Sequence, residues 1–198
     1  MSGEPTRITL LQRIRDQHDE GAWKDFVVYY RPYILAVLRN LGERGAGADD
    51  LAQEVLLRTW KALPQFRYQA GGCKLRTWLG LICRNTLRSR RRQEQSRLSR
   101  EGLDDAAVES DPEIEEIAER EWRLYLSNLA WKNIEGSFAA SVKESFLLTA
   151  AGATSVEVAA KLGLAESSVR VNKQRLTAAL CKEILRLKSQ LDFPEHGD

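Results

Sequence analysis

The sequence predicts an all-α protein of two small helical domains joined by a flexible acidic linker. Three observations predict it. Apolar residues return at i, i+3, i+4 and i+7 along most of the chain, strand-like alternation is missing, and periodicity lapses for one long stretch, from Gln93 to about Asp111. A chain of 198 residues has room for one ordinary domain or two small ones.

Taken in order, Trp23, Phe26, Val27 and Tyr30 share one helical face, and Ile34, Val37, Leu38 and Leu41 repeat the spacing after Pro32. The glycines between Gly42 and Gly47 end that run. Asp49 or Asp50 is expected to cap the next helix, which turns Leu51, Val55, Leu56 and Leu63 inward and stops at Pro64. Gln65 to Lys74, with Gly71 and Gly72, reads as a loop. A further helix follows, burying Leu75, Trp78, Leu79, Ile82 and Thr86 and leaving Arg84, Arg88 and Arg91 as a basic stripe.

After the aperiodic stretch, Asp111-Pro112 reads as an N-cap and a first-turn proline, and acids at 113, 115, 116 and 119 suit that helix's positive end. Trp122, Tyr125, Leu126 and Leu129 are its apolar face. Ser141 with Glu144 is expected to form a capping box, and Thr154 with Glu157 a second, opening a short helix over 155–162 that turns Val158, Ala159 and Leu162 inward. Gly163 ends it. A longer helix runs from Glu166 to about Leu187, anchored by Val169, Leu176 and Leu180, and the tail after Lys188 is expected to fray.

A net charge of +2 conceals strong segregation. Seven arginines against Glu94 give residues 84–100 a net of +6, and ten acids against Arg120 give residues 101–121 a net of −9. Seven bases against Glu166 and Glu183 give residues 158–188 a net of +5. Two basic blocks divided by an acidic one fit two contacts with a polyanion, and fit equally a solvated linker with an incidental bias.

Other classes are excluded. No apolar run nears the 18 or so residues that span a bilayer, and the N-terminus lacks the apolar core of an export signal. Cys73, Cys83 and Cys181 have neither disulfide-scaffold nor zinc spacing, and His18 and His196 sit near opposite ends. No phosphate cradle, histidine-centred dyad or carboxylate pair marks an active site, so neither an enzyme nor a cofactor is expected.

The segment 155–187 has the pattern of a helix-turn-helix, whose second helix presents side chains to base edges in the major groove. Ser167, Ser168, Arg170, Val171, Asn172, Lys173 and Gln174 occupy its first turns. There Arg170 suits guanine, Asn172 or Gln174 adenine, and Val171 a thymine methyl, while Lys173 and Arg175 suit phosphates. Upstream, Phe66 and Tyr68 flank a glycine-bearing loop beside Lys74 and the arginine stripe, a mixture suited to single-stranded nucleic acid. Trp78 reads as core. The patch Asp49, Asp50, Gln53, Glu54 and Arg58 fits a helix start and a polar protein contact equally well.

DDLAQEVLLRTWKALPQF followed by KLRTWLGLICRNTLRSRRR resembles conserved region 2 of a bacterial RNA polymerase sigma-70 factor, and SVEVAAKLGLAESSVRVNKQRLTAAL resembles region 4. With no equivalent of the central domain between them, the resemblance is to the extracytoplasmic-function (ECF) group, over roughly residues 20–92 and 120–187. It implies a region 2 bundle over 1–92, a linker over 93–112, a region 4 helix-turn-helix over 113–188 and a tail over 189–198.

The resemblance further implies that Asp50, Gln53, Glu54 and Arg58 dock on the β′ clamp helices of core RNA polymerase, with Leu51, Val55 and Trp60 supporting or bordering them. Region 4 would meet the β flap. The loop between Phe66 and Lys74, including Tyr68, would capture an extruded −10 base, and Arg76, Arg84, Asn85 and Arg88 would approach the melted strand. Glu166 to Arg175 would read the −35 element. An anti-sigma partner, a cytoplasmic location with nucleoid association in the holoenzyme, and no membrane insertion are implied as well. About 20 extended linker residues reach about 65 Å, and a spacer of about 17 base pairs is about 58 Å, so both boxes fall within one chain's span. Ser89, Ala165 and Lys173 depart from the family's usual aspartate, serine and apolar residue and bear on promoter sequence rather than class. The competing classes are a stand-alone helix-turn-helix regulator that does not dock on polymerase, and an adaptor that binds polymerase but reads no promoter.

Overall fold

The computed structural model describes residues 10–14, 18–66, 74–98 and 112–192, and among these all regular structure is helical. The chain divides into two compact units, one comprising residues up to Tyr125 together with the chain from Ser189 onward, the other Leu126–Lys188.

In the first unit, α1 (Leu10–Arg13) leads into α2 (Glu20–Asn40). Asp19 caps α2 by accepting from the Ala22 amide at 2.8 Å, and Arg13 holds the same carboxylate at 3.0 Å. That amide and then the guanidinium depress the Asp19 carboxyl pKa. Phe26, Tyr30, Tyr33, Ile34, Val37 and Leu38 form one buried face that passes Pro32 unbroken. The helical bond a proline forfeits belongs to the carbonyl four residues back, here Val28, which is 68% exposed and open to water.

α3 spans Ala46–Ala62. Neither Asp49 nor Asp50 caps it. The helix opens earlier, behind Gly45 in a positive-φ conformation, and Asp49 in its first turn binds Arg31 at 2.6 Å. Leu51, Ala52, Val55, Leu56 and Thr59 face inward, and a 3₁₀ turn at Leu63–Gln65 takes in Pro64.

α4 runs from Leu75 to Leu98, so residues 93–98 are helical where the linker was expected to begin. Gln and Arg are good helix formers, no Gly or Pro interrupts 93–98, and Arg90 pairs with Glu94 one turn on at 3.3 Å. Residues 99–111, the remainder of the expected linker, lie outside the described residues, as does Tyr68.

The larger departure concerns α5 (Pro112–Ile134). Its first half belongs to the first unit, where Ile114, Ala118 and Trp122, at i, i+4 and i+8, are buried. Gly80 of α4 makes this possible: a Cβ there would stand 3.2 Å from the Ala118 methyl and 3.3 Å from Ile114 Cγ1. The chain beyond Lys188 is not frayed at first either. Leu191 is 1% exposed, its carbonyl accepts from the Tyr30 hydroxyl, and Asp192 accepts from Trp122 Nε1 at 3.3 Å.

In the second unit, the rest of α5 packs with α6 (Ala140–Ala150), α7 (Ser155–Leu162) and α8, which begins at Glu166 and ends at Leu191. Leu126, Ala130, Val158, Val169, Leu176 and Leu187 are buried, and Trp131 stacks on Phe146 with ring centroids 5.8 Å apart. Ser141 does not cap α6: the N-cap is Ala139 in an extended conformation, which puts Ser141 inside the first turn. Thr154 and Glu157 do form the expected reciprocal box, and Gly163 ends α7 in the left-handed conformation at φ 63°.

Asn133 of α5 and Arg186 of α8 both donate to Glu183 at 2.7 Å. The Arg186 bond, and then Asn133, outweigh the opposing effect of burial and depress the Glu183 pKa from 4.5 to about 2. A depressed carboxylate stabilises the fold above its unfolded pKa and loses that contribution as pH falls through the folded value. Glu183→Gln should therefore cost the second unit about 1 kcal/mol near neutrality. In chemical-denaturation series, the gap to wild type should narrow below pH 4.5 and close only below about pH 2.

Candidate protein and nucleic-acid interfaces

α3 has two unlike faces. Opposite its buried side, Asp50 and Gln53 are exposed, and Glu54 and Arg58 are half-exposed and joined by a 2.7 Å ion pair. Leu57 and Trp60 lie beside them, 51% and 36% exposed. The polar residues expected to share a protein contact are thus together on one solvent face. Leu57 was not foreseen there; the signal available was its register, since Leu51, Val55 and Leu56 lie on one side of the helix and position 57 falls on the other.

The residues expected to meet a melted strand are divided. Lys74 and Arg88 are exposed and Asn85 is half-buried. Phe66 is 8% exposed, against Trp78 with ring centroids 4.7 Å apart, so its ring is part of the packing here. Arg76 and Arg84, expected at the surface, are only 5% and 8% exposed. Arg76 Nε donates to Glu119 at 2.6 Å and its Nη1 to Asp192 at 3.2 Å, while its backbone carbonyl accepts from Tyr33 at 2.9 Å. Burial works to raise the Glu119 pKa, yet the Arg76 guanidinium overrides it and holds that carboxyl below its ordinary value. Arg84, Arg88 and Arg91 line a half-open cleft of about 180 Å³ with Glu113 and Ile114 of α5.

In the second unit, Gly163, Leu164 and Ala165 join α7 to α8. Ser167, Ser168, Arg170, Val171, Lys173, Gln174 and Arg175 are exposed and Asn172 half-exposed, over the buried anchors Val169 and Leu176. Arg170 pairs with Glu166 one turn back. Lys173, at the position where the family usually has an apolar residue, points to solvent. Cys83 is buried, and desolvation pushes its thiol pKa well up, away from reactivity. Among the described residues no acid, His and Cys cluster is fit to hold a metal, and no helix is long and apolar enough to cross a membrane.

Among the described residues the chain is all helical, with a mixed polar and apolar face on α3 in sequence before an arginine-rich α4. Residues 26–97 match the family model for sigma-70 region 2, which takes in α3 and nearly all of α4. The chain is 35% identical to the ECF RNA polymerase sigma factor SigG of Mycobacterium tuberculosis over 101 residues, 50% of this chain and 26% of that protein. It is 31% identical to the probable RNA polymerase sigma factor RfaY of Xanthomonas campestris over 154 residues, 77% of this chain and 36% of that one. Among solved structures it is similar to CnrH in complex with the cytosolic domain of CnrY, at 22% identity over 87% of this chain and 93% of that one, with a TM-score of 0.35. Residues 26–97 thus carry a sigma-70 region 2 segment, and the chain is similar to ECF sigma factors over part of its length. It spans only about a quarter to a third of the length of these two curated relatives.

Proposed function

We propose that the protein is a promoter-specificity subunit: it docks on bacterial core RNA polymerase through α3, reads promoter DNA at two places and assists melting. The observation that carries this reading is the exposed face Asp50, Gln53, Glu54, Leu57 and Trp60, set on a rigid buried helix inside the segment that matches sigma-70 region 2. A face that is part charged and part apolar suits a specific protein contact better than a polyanion.

Melting needs no bond chemistry from this chain. Lys74, Asn85 and Arg88, joined by Arg76 and Arg84 once those are uncovered, hold an opened strand better than a duplex. That differential binding offsets unstacking of a few kcal/mol. The α7–α8 pair acts as a helix-turn-helix, with Arg170, Val171, Asn172 and Gln174 reading −35 base edges and Lys173 and Arg175 on phosphates. An anti-sigma protein that masks one of these faces is the corresponding regulator.

Run-off transcription with purified core polymerase tests the proposal: a discrete transcript requires both proteins and a promoter-bearing template. Tight duplex binding without polymerase and no transcript would mark a stand-alone regulator instead; polymerase binding with no promoter preference would mark an adaptor. Within the assay, Arg170→Ala should weaken discrimination at one −35 base pair by about 1–3 kcal/mol. Scoring every −35 base change against that variant checks this, and a uniform loss across all sequences would remove its base-reading role.

A further inference from the structure

Two of the arginines expected to meet a melted strand, Arg76 and Arg84, are buried. Arg76 faces two carboxylates from distant parts of the chain, Glu119 at 2.6 Å and Asp192 at 3.2 Å. Guanidinium groups bind carboxylates and phosphates through the same charge-assisted bonds, so these acids use the donors that a DNA phosphate would need. Glu113 lines the cleft beside Arg84, Arg88 and Arg91, where Arg91 pairs with Glu43 at 3.3 Å.

The cover is built into the packing. Gly80 lets α5 approach until Ala118 and Ile114 meet α4. Trp122 is wedged between Tyr30 and Tyr33, 5.6 Å and 5.2 Å away, and its Nε1 reaches Asp192. The Tyr30 hydroxyl holds the Leu191 carbonyl. The Arg76 side chain is only 5% exposed and Asp192 16%, so release requires a phosphate to replace the carboxylates, with Glu119, 39% exposed, the side open to exchange.

We propose that the first half of α5 and the end of α8 form an autoinhibitory cover over Arg76 and Arg84 of α4, in which Glu119 and Asp192 stand in for DNA on Arg76 until assembly releases it. The strand-binding role of those arginines rests on the function proposed above; the cover itself does not. Free protein binds promoter strands poorly because the competent state is a minor one, and whatever favours the open form raises affinity by the reciprocal of its population.

A reversible lock tests this. In full-length protein carrying Cys73→Ser and Cys181→Ser, Gly80→Cys with Ala118→Cys places two thiols on Cβ positions 3.2 Å apart, a few tenths of an ångström short of ordinary cystine geometry, and because the added Cβ also meets Ile114 Cγ1 at 3.3 Å, circular dichroism first checks that the pair folds. Phenylglyoxal labelling of Arg76 and Arg84, read by mass spectrometry, reports the cover; run-off from a promoter fragment selected with wild-type holoenzyme reports function. The oxidised protein should keep both arginines protected with and without core polymerase and lose transcription at least about tenfold, and dithiothreitol should restore both. In the wild type, core polymerase should expose both arginines. Wild-type transcription from the oxidised protein, or Arg76 labelling in the free wild type as fast as in urea, would overturn the cover.

If the cysteine pair does not fold, Asp192→Asn with Glu119→Gln decides: Arg76 labelling at least about fivefold faster supports the latch, and unchanged labelling overturns it. If even the wild type selects no promoter, the transcriptional reading fails, while the labelling still decides the cover.

Discussion

Trp122→Ala is expected to destabilise the first unit by about 3–5 kcal/mol, the ordinary cost of deleting a buried indole. Trp122 is 1% exposed and touches rings on three sides, with Tyr30 at 5.6 Å, Tyr33 edge-on at 5.2 Å and Tyr125 at 5.6 Å. Tyr30 and Tyr33 are themselves held by hydrogen bonds. The Tyr33 hydroxyl donates to the Arg76 carbonyl at 2.9 Å and lies 3.3 Å from that of Ala118, and burial pushes both Tyr30 and Tyr33 well above the ordinary phenol pKa. The cavity is therefore bounded by two held rings, and Asp192 loses its indole donor. Urea unfolding followed by circular dichroism measures the effect. Trp131→Ala is the internal comparison: Trp131 is half-buried in the second unit and stacks on Phe146 alone among the described rings, so its loss should cost distinctly less. A loss below about 1 kcal/mol for Trp122→Ala would mean that α5 does not pack on α2 and α4 in solution.

The same tryptophan marks the limit of what the sequence reveals. Local devices were legible because their physics is local. The Thr154–Glu157 box, the left-handed Gly163, the Pro64 stop and the inward faces of α2, α3 and α8 each follow from spacing within a few residues. The α3 face was legible too, as charged positions opposite an apolar stripe. Long-range pairing was not. Ile114, Ala118 and Trp122 form a helical stripe whichever body they pack against, and the acids around them favoured a linker and a second domain. Only the missing side chain of Gly80 points to their partner, and a lone glycine within a helix has many readings.

Arg76 and Arg84 looked solvent-facing because arginine is rarely buried unpaired, while the carboxylates that neutralise Arg76 lie 43 and 116 residues away in the chain. Leu191 and Asp192 read as an end that frays, because a single leucine at the close of a helix carries no periodicity. Ser141 failed for a different reason. S-x-x-E fits any helix whose first turn begins one residue after the serine, and here Ala139 in extended conformation starts it two residues early.

Glu54→Lys should lower affinity for core polymerase by about 2–4 kcal/mol, roughly 30- to 1000-fold, if α3 is the docking face. The fold should tolerate it. Glu54 is half-exposed and its described partner, Arg58, sits one helical turn on at 2.7 Å. Exchanging that pair for Lys beside Arg costs only a few tenths of a kcal/mol, because water screens both groups. Leu51 and Val55, which hold the helix in place, are fully buried and unaffected. A partner surface complementary to Asp50 and Glu54 would meet reversed charge at its centre, next to Leu57 and Trp60, where water is excluded on docking and like charges repel most strongly. Fluorescence anisotropy of labelled protein titrated with core polymerase gives the affinity, and circular dichroism shows whether the helices persist. Leu57→Ala separates charge from apolar contact: it should weaken docking with little dependence on salt, while the Glu54→Lys defect should shrink as ionic strength rises. A folded Glu54→Lys protein that binds polymerase as wild type does would remove α3 from the interface.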